Sequence, residues 1–293
     1  MKKVKVGIIG TGNIGTDLLI KVQRSEILEC GLFAGKNPDS VGIRRAEKMG
    51  VRTSFNSIKE IQDDPDCCAI VFDATSAQVH SFNAPILTKL GKFVVDLTPS
   101  SIGKMCVPVV NLKECLNSVN VNLITCGGQA TIPIAYALIK AHPEIGYIEV
   151  VASIASKSAG SGTRANIDEY VLATKEAVRI FTGVDQAKAI IILNSAEPPV
   201  FMRNTVYAKI EKPNLEKITE QVLIMAQKIQ KYVPGYKIVL GPVVENNRVT
   251  TMVEVAGRGD FLPKYSGNLD IITCAAVNVA EEFAKKKILR LKD

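Results

Sequence analysis

The sequence predicts a two-domain protein of the α/β class: a parallel sheet flanked by helices, then an α+β domain, then a C-terminal helix returning to the first domain. Three observations carry this. Over residues 4–125 short apolar runs alternate with longer helical periods, the pattern of strand–helix–strand units that feed a parallel sheet. A glycine-rich hexapeptide, Gly10-Thr11-Gly12-Asn13-Ile14-Gly15, divides the first run from the first helical period, as in an N-terminal Rossmann-type sheet. Beyond His142-Pro143 the texture changes to strands separated by only two long helical periods.

Taken in order, residues 4–9 read as a buried strand and 13–28 as a helix with Ile14, Leu18, Leu19 and Val22 along one face. Residues 29–34 form the second strand, 42–49 a short helix, 69–72 a strand, 81–90 a helix and 93–97 a strand. The strand expected at 121–125 runs into Cys126-Gly127-Gly128-Gln129, read as a turn ahead of a helix over 131–141. In the second half 147–155, 189–193, 205–210, 236–240 and 250–256 read as strands of a mixed or antiparallel sheet, with helices at 167–182 and 215–232. A long helix is expected over 269–291.

With 293 residues the chain reaches the roughly 250–300 at which single cores stop growing. The expected division is 1–128, completed by 269–293, and 129–268. An apolar fraction of 47% against 22% charged residues supports a proper core and excludes disorder, collagen and a disulfide-stapled miniprotein. The net charge of +7 is spread along the chain, and there is no tryptophan, so nucleic acid is not an expected partner. Seven cysteines form no C-x-x-C pair, which argues against a disulfide framework or a zinc ribbon; no metal is expected, and the setting is a reducing cytoplasm. No segment approaches the ~20 unbroken apolar residues of a membrane span.

In the hexapeptide the first glycine makes the tight turn, the second lets backbone approach a pyrophosphate, and the third allows close helix–sheet packing. Amide groups at the helix N-terminus then meet the negative charge. A nicotinamide dinucleotide is the expected cofactor. After the second strand, Gly35-Lys36-Asn37-Pro38-Asp39 carries no acid directly at the strand end. Asn37 or Asp39 can hold ribose hydroxyls, whereas Lys36, Arg44 or Arg45 can tolerate a 2′-phosphate. NAD is the first choice, with NADP left open.

Only two histidines, His80 and His142, are present, and both read as surface or capping residues. A histidine-assisted cysteine protease is therefore not indicated. Cys126 is the candidate nucleophile because it lies between an apolar strand and a helix, where backbone amides favour thiolate and the two glycines admit a carbonyl. Packing of a small residue at a tight turn explains the same placement equally well. A dinucleotide fold joined to a helix-terminal thiol suggests aldehyde oxidation through a thiohemiacetal and a thioester, which water, phosphate or a thiol then releases.

Over essentially its whole length the chain resembles the acylating acetaldehyde dehydrogenases of aromatic meta-cleavage pathways, themselves similar in fold to the glyceraldehyde-phosphate and aspartate-semialdehyde dehydrogenases. The matching stretches include Gly10-Thr11-Gly12-Asn13-Ile14-Gly15-Thr16-Asp17, Phe72-Asp73-Ala74-Thr75-Ser76, Asp96-Leu97-Thr98-Pro99, Thr125-Cys126-Gly127-Gly128-Gln129-Ala130-Thr131-Ile132-Pro133, Gly162-Thr163-Arg164-Ala165-Asn166-Ile167-Asp168-Glu169 and Tyr265-Ser266-Gly267-Asn268-Leu269-Asp270. The resemblance implies oxidation of acetaldehyde by NAD and transfer of the acetyl group to coenzyme A, with Cys126 carrying the acyl group and 129–268 serving catalysis and dimerisation. It implies cofactor contacts from Thr11, Gly12, Asn13 and Ile14, from the loop Ser158, Ala159, Gly160, Ser161, Gly162, Thr163, Arg164, Ala165 and Asn166, and from Asn268. It also implies a homodimer or hetero-oligomer with a 4-hydroxy-2-oxovalerate aldolase.

At one place the chain departs from the resemblance. The family pattern carries an aspartate, thought to orient or activate the cysteine, where Asn204 stands. Asparagine can orient by hydrogen bonding but takes no proton at neutral pH, so the acceptor falls to water, Asp168 or Glu169. Two further readings remain at this point: a phosphate-dependent semialdehyde dehydrogenase of the same fold, and a non-enzymatic dinucleotide sensor.

Overall fold

The computed structural model describes residues 2–291. The side chain of Ser161 and the surroundings of Gly162, both named above as cofactor contacts, lie outside what is described, as do the last two positions of the segment 269–293. The first sheet comprises β1 (Val4–Ile9), β2 (Leu28–Ala34), β3 (Thr53–Ser54), β4 (Ile70–Asp73), β5 (Phe93–Asp96), β6 (Lys104–Met105) and β7 (Asn120–Asn122). Their order is β3-β2-β1-β4-β5-β7-β6, and each neighbouring pair is parallel. The order reverses between β1 and β4, the switch point outside which such sheets bind ligands at their carboxyl ends. Helices α1 (Asn13–Arg24), α2 (Val41–Lys48), α3 (Ile58–Asp63), α4 (Ala77–Lys89) and α5 (Pro108–Cys115) connect the strands. Ile9, Leu32, Val71 and Val94 from the central strands pack with Ile61 and Leu87 as a buried cluster.

In the first unit two helix ends differ from the sequence expectation by four residues, each for a local reason. The first helix stops at Arg24 because the Ser25 hydroxyl accepts from the amides of Ile27 and Leu28, at 3.1 and 3.0 Å, and turns the chain into β2. The fourth begins at Ala77 rather than 81 because the Ser76 hydroxyl caps the Val79 amide.

The second sheet holds β8 (Tyr147–Ala155), β9 (Gln186–Asn194), β10 (Met202–Lys209), β11 (Tyr236–Glu245) and β12 (Arg248–Val255) in the order β11-β12-β10-β8-β9. It is mixed: β8 and β9 run parallel and the other neighbours antiparallel. One face of the sheet buries Ile148, Val150, Ala152 and Ile154 on β8, Met202, Asn204, Val206 and Ala208 on β10, and Val249, Thr251, Val253 and Val255 on β12 at every second position. Against that face lies α6 (Cys126–Ala141), in contact with α8 (Ile167–Thr182) and α9 (Leu215–Gln230); the short α7 (Ser161–Ala165) precedes α8. A bond of 2.8 Å from the Tyr236 hydroxyl to the Ala130 carbonyl ties α6 to β11. The last helix, α10 (Gly267–Phe283), continues as one wide turn to Ile288.

The chain falls into two units, Met1–Leu123 with Asp260–Leu262 and Ile272–Asp293, and Ile124–Gly259 with Pro263–Ile271. The returning C-terminal segment is fastened within the first unit. Phe283 stacks on Phe93 with ring centroids 3.6 Å apart, and the Thr273 hydroxyl donates to buried Asp17 at 2.6 Å.

Candidate active site

In the first unit the three glycines of the turn have three distinct surroundings. Gly10 sits at φ +107°, and a methyl group there would collide with the Ala74 carbonyl; one at Gly15 would collide with the Gly10 carbonyl. At Gly12 it would meet nothing within 4 Å. The first and third glycines are thus required by packing, while the second leaves open a hollow in front of the helix N-terminus. No side chain caps α1 and no acid lies in its first turn, so its amides present an anion-binding end. Gly12 and Asn13 are exposed and Thr11 and Ile14 half-buried. Thr11 is gripped from behind, its carbonyl accepting from the Ser40 hydroxyl at 2.9 Å. At the end of β2, Lys36, Asn37 and Asp39 are all exposed, with Asn37 accepting from the Asp39 amide at 2.9 Å. These groups fit a pyrophosphate at the turn and ribose hydroxyls beyond β2.

In the second unit Cys126 is the first residue of α6, not part of a turn that precedes the helix. The reason is the cap: the Thr125 side chain accepts from the Gly128 amide at 2.9 Å and shares a 2.7 Å hydrogen bond with Thr174. That cap offsets the low helix propensity of the two glycines. The preceding Ile124 stands at φ +65°, a left-handed backbone costly for a β-branched residue.

Tyr170 of α8 brings its hydroxyl 3.7 Å from the Cys126 sulfur. A methyl group at Gly127 would collide with that hydroxyl and lie 3.1 Å from the Ala152 methyl. Burial pushes the Cys126 thiol up to about 11, while the Tyr170 hydroxyl and the backbone amides of Gly127 and Cys126 pull it back toward ionisation. The helix terminus therefore acts in the direction expected from the sequence, but burial outweighs it, and the expectation of a depressed thiol pKa is not met. Burial likewise holds Tyr170 well above its usual value, so it stays a neutral donor.

Other sequence expectations divide. Asp168 and Glu169 are exposed in the first turn of α8; the side chain of this helix that reaches sulfur is Tyr170, which sequence reasoning missed. Asn204 is fully buried on β10, opposite Ala152 of β8 and Val253 of β12. Among the described residues neither its amide nitrogen nor its oxygen has a hydrogen-bond partner, so it makes no bond to Cys126. It lies one strand away from Ala152, the residue under Gly127.

In the loop Ser158–Asn166, Arg164 turns back on its own backbone, donating to the carbonyls of Ala159 at 3.1 Å and Ser156 at 2.9 Å and to the Ser156 hydroxyl at 2.8 Å. Ser158 and Ala159 are buried, Gly160, Arg164 and Ala165 exposed, Thr163 and Asn166 half-buried. Asn268, 1% exposed, donates to the Ser158 carbonyl at 3.4 Å and leaves its own oxygen without a donor. That orphaned acceptor suits a carboxamide N–H of a nicotinamide.

The histidines also separate. His142 accepts from the Asn214 amide at the start of α9 and bonds Glu144 at 2.7 Å, a capping residue. His80 is 0% exposed, a correction to its expected surface position. It is drawn inside by Asp73 and Asp96 at the ends of β4 and β5.

Residues 126–263 match the family model described as Prokaryotic acetaldehyde dehydrogenase, dimerisation, and residues 5–118 match Semialdehyde dehydrogenase, NAD binding domain. The chain is 54% identical over 282 residues to an acetaldehyde dehydrogenase of Pectobacterium atrosepticum, covering 96% of this chain and 95% of that one. It belongs to the acetaldehyde dehydrogenase family. A relative from Geobacillus stearothermophilus is 53% identical, with 98% of each chain covered. The fold is shared more widely: aspartate semialdehyde dehydrogenase II of Vibrio cholerae superposes with a TM-score of 0.64 at 16% identity, covering 98% of this chain and 100% of that one. Among the described residues no helix is long and apolar enough to cross a membrane, and no cluster of His, Cys, Asp or Glu could hold a metal.

Proposed function

We propose that the chain is an acylating acetaldehyde dehydrogenase that uses Cys126 as nucleophile, NAD as hydride acceptor and coenzyme A as acetyl acceptor. The observation that carries this is the sulfur of Cys126, at the first position of α6, with the Tyr170 hydroxyl and the amides of Cys126 and Gly127 turned toward it. At neutral pH the resting thiol holds its proton. Addition to acetaldehyde forms the S–C bond and passes that proton to the carbonyl oxygen, giving a thiohemiacetal. The amides of the α6 terminus stabilise charge that develops on this oxygen. NAD, when bound, supplies the hydride acceptor that converts the carbon to a thioester, and the hydroxyl proton leaves to solvent. The thiolate of coenzyme A then attacks the thioester carbonyl and Cys126 departs, stabilised as leaving group by Tyr170 and the same amides.

Contacts to the cofactor fall to Thr11, Gly12, Asn13 and Ile14 in the turn, to the loop 158–166 and to Asn268. An orienting role for Asn204 that takes no proton rests on family resemblance, since the side chain makes no bond to Cys126. The unit of Met1–Leu123 and Ile272–Asp293 serves as the cofactor domain and that of Ile124–Gly259 as the catalytic and dimerisation domain, so the expected boundary at 128/129, which falls inside α6, moves to 123/124 and Cys126 goes with the second. A homodimer, a 4-hydroxy-2-oxovalerate aldolase partner and a cytoplasmic setting complete the reading, which rests there on family resemblance.

The test follows reduced nicotinamide with acetaldehyde and either NAD or NADP, in the presence of coenzyme A, phosphate or neither, and weighs the intact enzyme after incubation with acetyl-CoA. Turnover only with coenzyme A, and one acetyl group mapped to the peptide of Cys126, is the expected result. Turnover with phosphate alone, or an adduct that survives Cys126→Ser, overturns it.

A further inference from the structure

A buried polar cluster at the carboxyl edge of the parallel sheet is not used by the chemistry above. Asp73 ends β4 and Asp96 ends β5, and both side chains are 0% exposed. His80 of α4 lies between them, with Nδ1 2.9 Å from Asp73 Oδ2 and Nε2 3.4 Å from Asp96 Oδ2. Each carboxylate also fastens the loop that follows its strand. Asp73 Oδ1 accepts from the Thr75 amide at 3.1 Å and from the Thr75 hydroxyl, while Oδ2 also accepts from Asn83 at 2.9 Å. Asp96 accepts from the Thr98 amide at 2.8 Å, the Ser100 hydroxyl at 2.6 Å and Asn122 at 2.7 Å.

The first of these loops touches the glycine turn. The Ala74 amide donates to the Ile9 carbonyl at 2.8 Å, and the space beside Gly10 is filled by the Ala74 carbonyl and the Thr75 amide. The backbone that shapes the hollow at Gly12 is thus backed by a loop whose anchor is the Asp73 carboxylate. From α4 that carboxylate is held by His80, its one facing group that can carry a positive charge, together with neutral Asn83.

We propose that His80 is a positioning residue for dinucleotide binding: placed between Asp73 and Asp96, it holds the loops after β4 and β5 in register behind the glycine turn. The inference rests on the reading that the turn binds NAD. The ring is held by charge as well as by shape. The charged groups facing it are Asp73 from β4 and Asp96 from β5; Asn120 of β7, whose amide nitrogen is 3.0 Å from Nε2, and Asn83 on its own helix are neutral. Burial alone lowers the His80 pKa, but the bond to Asp73 and the charges of Asp96 and Asp73 outweigh it and leave the ring above its ordinary value. A protonated ring donates from Nδ1 to Asp73 and from Nε2 toward Asp96 and compensates their charge, with the Asn120 amide turned to present its otherwise unpartnered oxygen to Nε2. As pH rises through the raised pKa, Nε2 loses its proton and turns to accept from Asn120, and uncompensated carboxylate charge is left behind an anion site. NAD affinity falls in that direction.

The experiment measures NAD dissociation constants by calorimetry from about pH 6 to pH 9, the range a raised histidine spans, for wild type and His80→Gln. KM values for NAD and aldehyde and the melting temperature are measured beside them. Wild type is expected to weaken with rising pH. His80→Gln is expected to bind about tenfold more weakly at the acid end, the size of one charge-assisted hydrogen bond, to lose the pH dependence, and to show the defect in KM for NAD rather than for aldehyde. A variant that melts earlier yet binds NAD with the wild-type constant and pH profile assigns His80 to stability alone and overturns the proposal. If His80→Gln fails to fold, a flat wild-type profile overturns it and a falling one, retained in folded His80→Asn, does the same. Wild type that binds no NAD at any pH instead defeats the cofactor reading itself, and the inference with it.

Discussion

The Tyr170 hydroxyl stands 3.7 Å from the Cys126 sulfur, in space that exists because residue 127 carries no side chain. Two elements 44 positions apart in sequence therefore meet at one atom, and the glycine between sulfur and sheet is what permits the approach. The arrangement divides labour. Burial keeps the thiol protonated, and the hydroxyl and the helix amides stabilise the anion whenever it forms.

Tyr170→Phe removes one of the groups that lower the thiol pKa. The Cys126 pKa is then expected to rise above about 11, and the profile of alkylation rate against pH should move to higher pH. A thiol pKa higher by about one means roughly a tenfold loss of thiolate at neutral pH, with turnover falling in parallel. An alkylation profile that stays where it was would show that the hydroxyl does not act on sulfur.

Gly127→Ala drives a methyl group into the Tyr170 hydroxyl and against Ala152. Overpacking of this kind costs about 1–3 kcal/mol, read as a lower melting temperature with loss of turnover. Adding Tyr170→Phe deletes the clashing oxygen and is expected to restore part of the stability but not the thiol reactivity. A double variant no more stable than Gly127→Ala would place the strain elsewhere.

The glycine turn, the longer strands of the first sheet and the candidate thiol are legible in the sequence because each is local, whereas the two-residue β3 and β6 are not. Spacing and neighbours declare a strand, a tight turn and a helix start within a dozen residues. What stays hidden depends on packing between distant segments. Tyr170 looks like any residue of an amphipathic helix until α8 is laid beside α6. His80, early in its helix, reads as a cap until Asp73 and Asp96 draw it under the sheet edge. The start of α6 is masked because Gly127 and Gly128 argue against a helix, while the Thr125 cap and close packing around them overrule that propensity. By its sequence β11 should end at Leu240 before Gly241-Pro242, yet it continues to Glu245 by shifting register on either side of Leu240.

Asn204 is buried on β10 beside Ala152 with both amide atoms unpartnered among the described residues, diagonal on the sheet to Thr251, whose hydroxyl is also orphaned. An unsatisfied buried polar group costs about 1–3 kcal/mol, and a similar-sized apolar group removes that cost. Asn204→Leu is therefore expected to raise the melting temperature while reducing turnover, a trade expected of a polar group kept for the reaction. Asn204→Asp introduces a carboxyl whose burial raises its pKa and is expected to alter the pH dependence of turnover. An Asn204→Leu variant that is more stable and fully active would remove this residue from the chemistry.

The two glycines at the ends of the α1 turn and the one between them predict opposite phenotypes. Gly15→Ala brings a methyl group onto the Gly10 carbonyl and is expected to destabilise the first unit by more than about 3 kcal/mol, since rigid backbone cannot yield. Gly12→Ala meets no atom within 4 Å, so the protein should fold with an unchanged melting temperature. Its methyl group instead occupies the hollow before the helix amides, where a pyrophosphate needs close backbone approach. NAD binding is expected to weaken by about tenfold or more, while alkylation of Cys126, which lies in the other unit, should proceed at the wild-type rate. Paired thermal melts, NAD titrations and thiol alkylation on the two variants check this. Normal NAD affinity in stable Gly12→Ala would move the dinucleotide away from the turn.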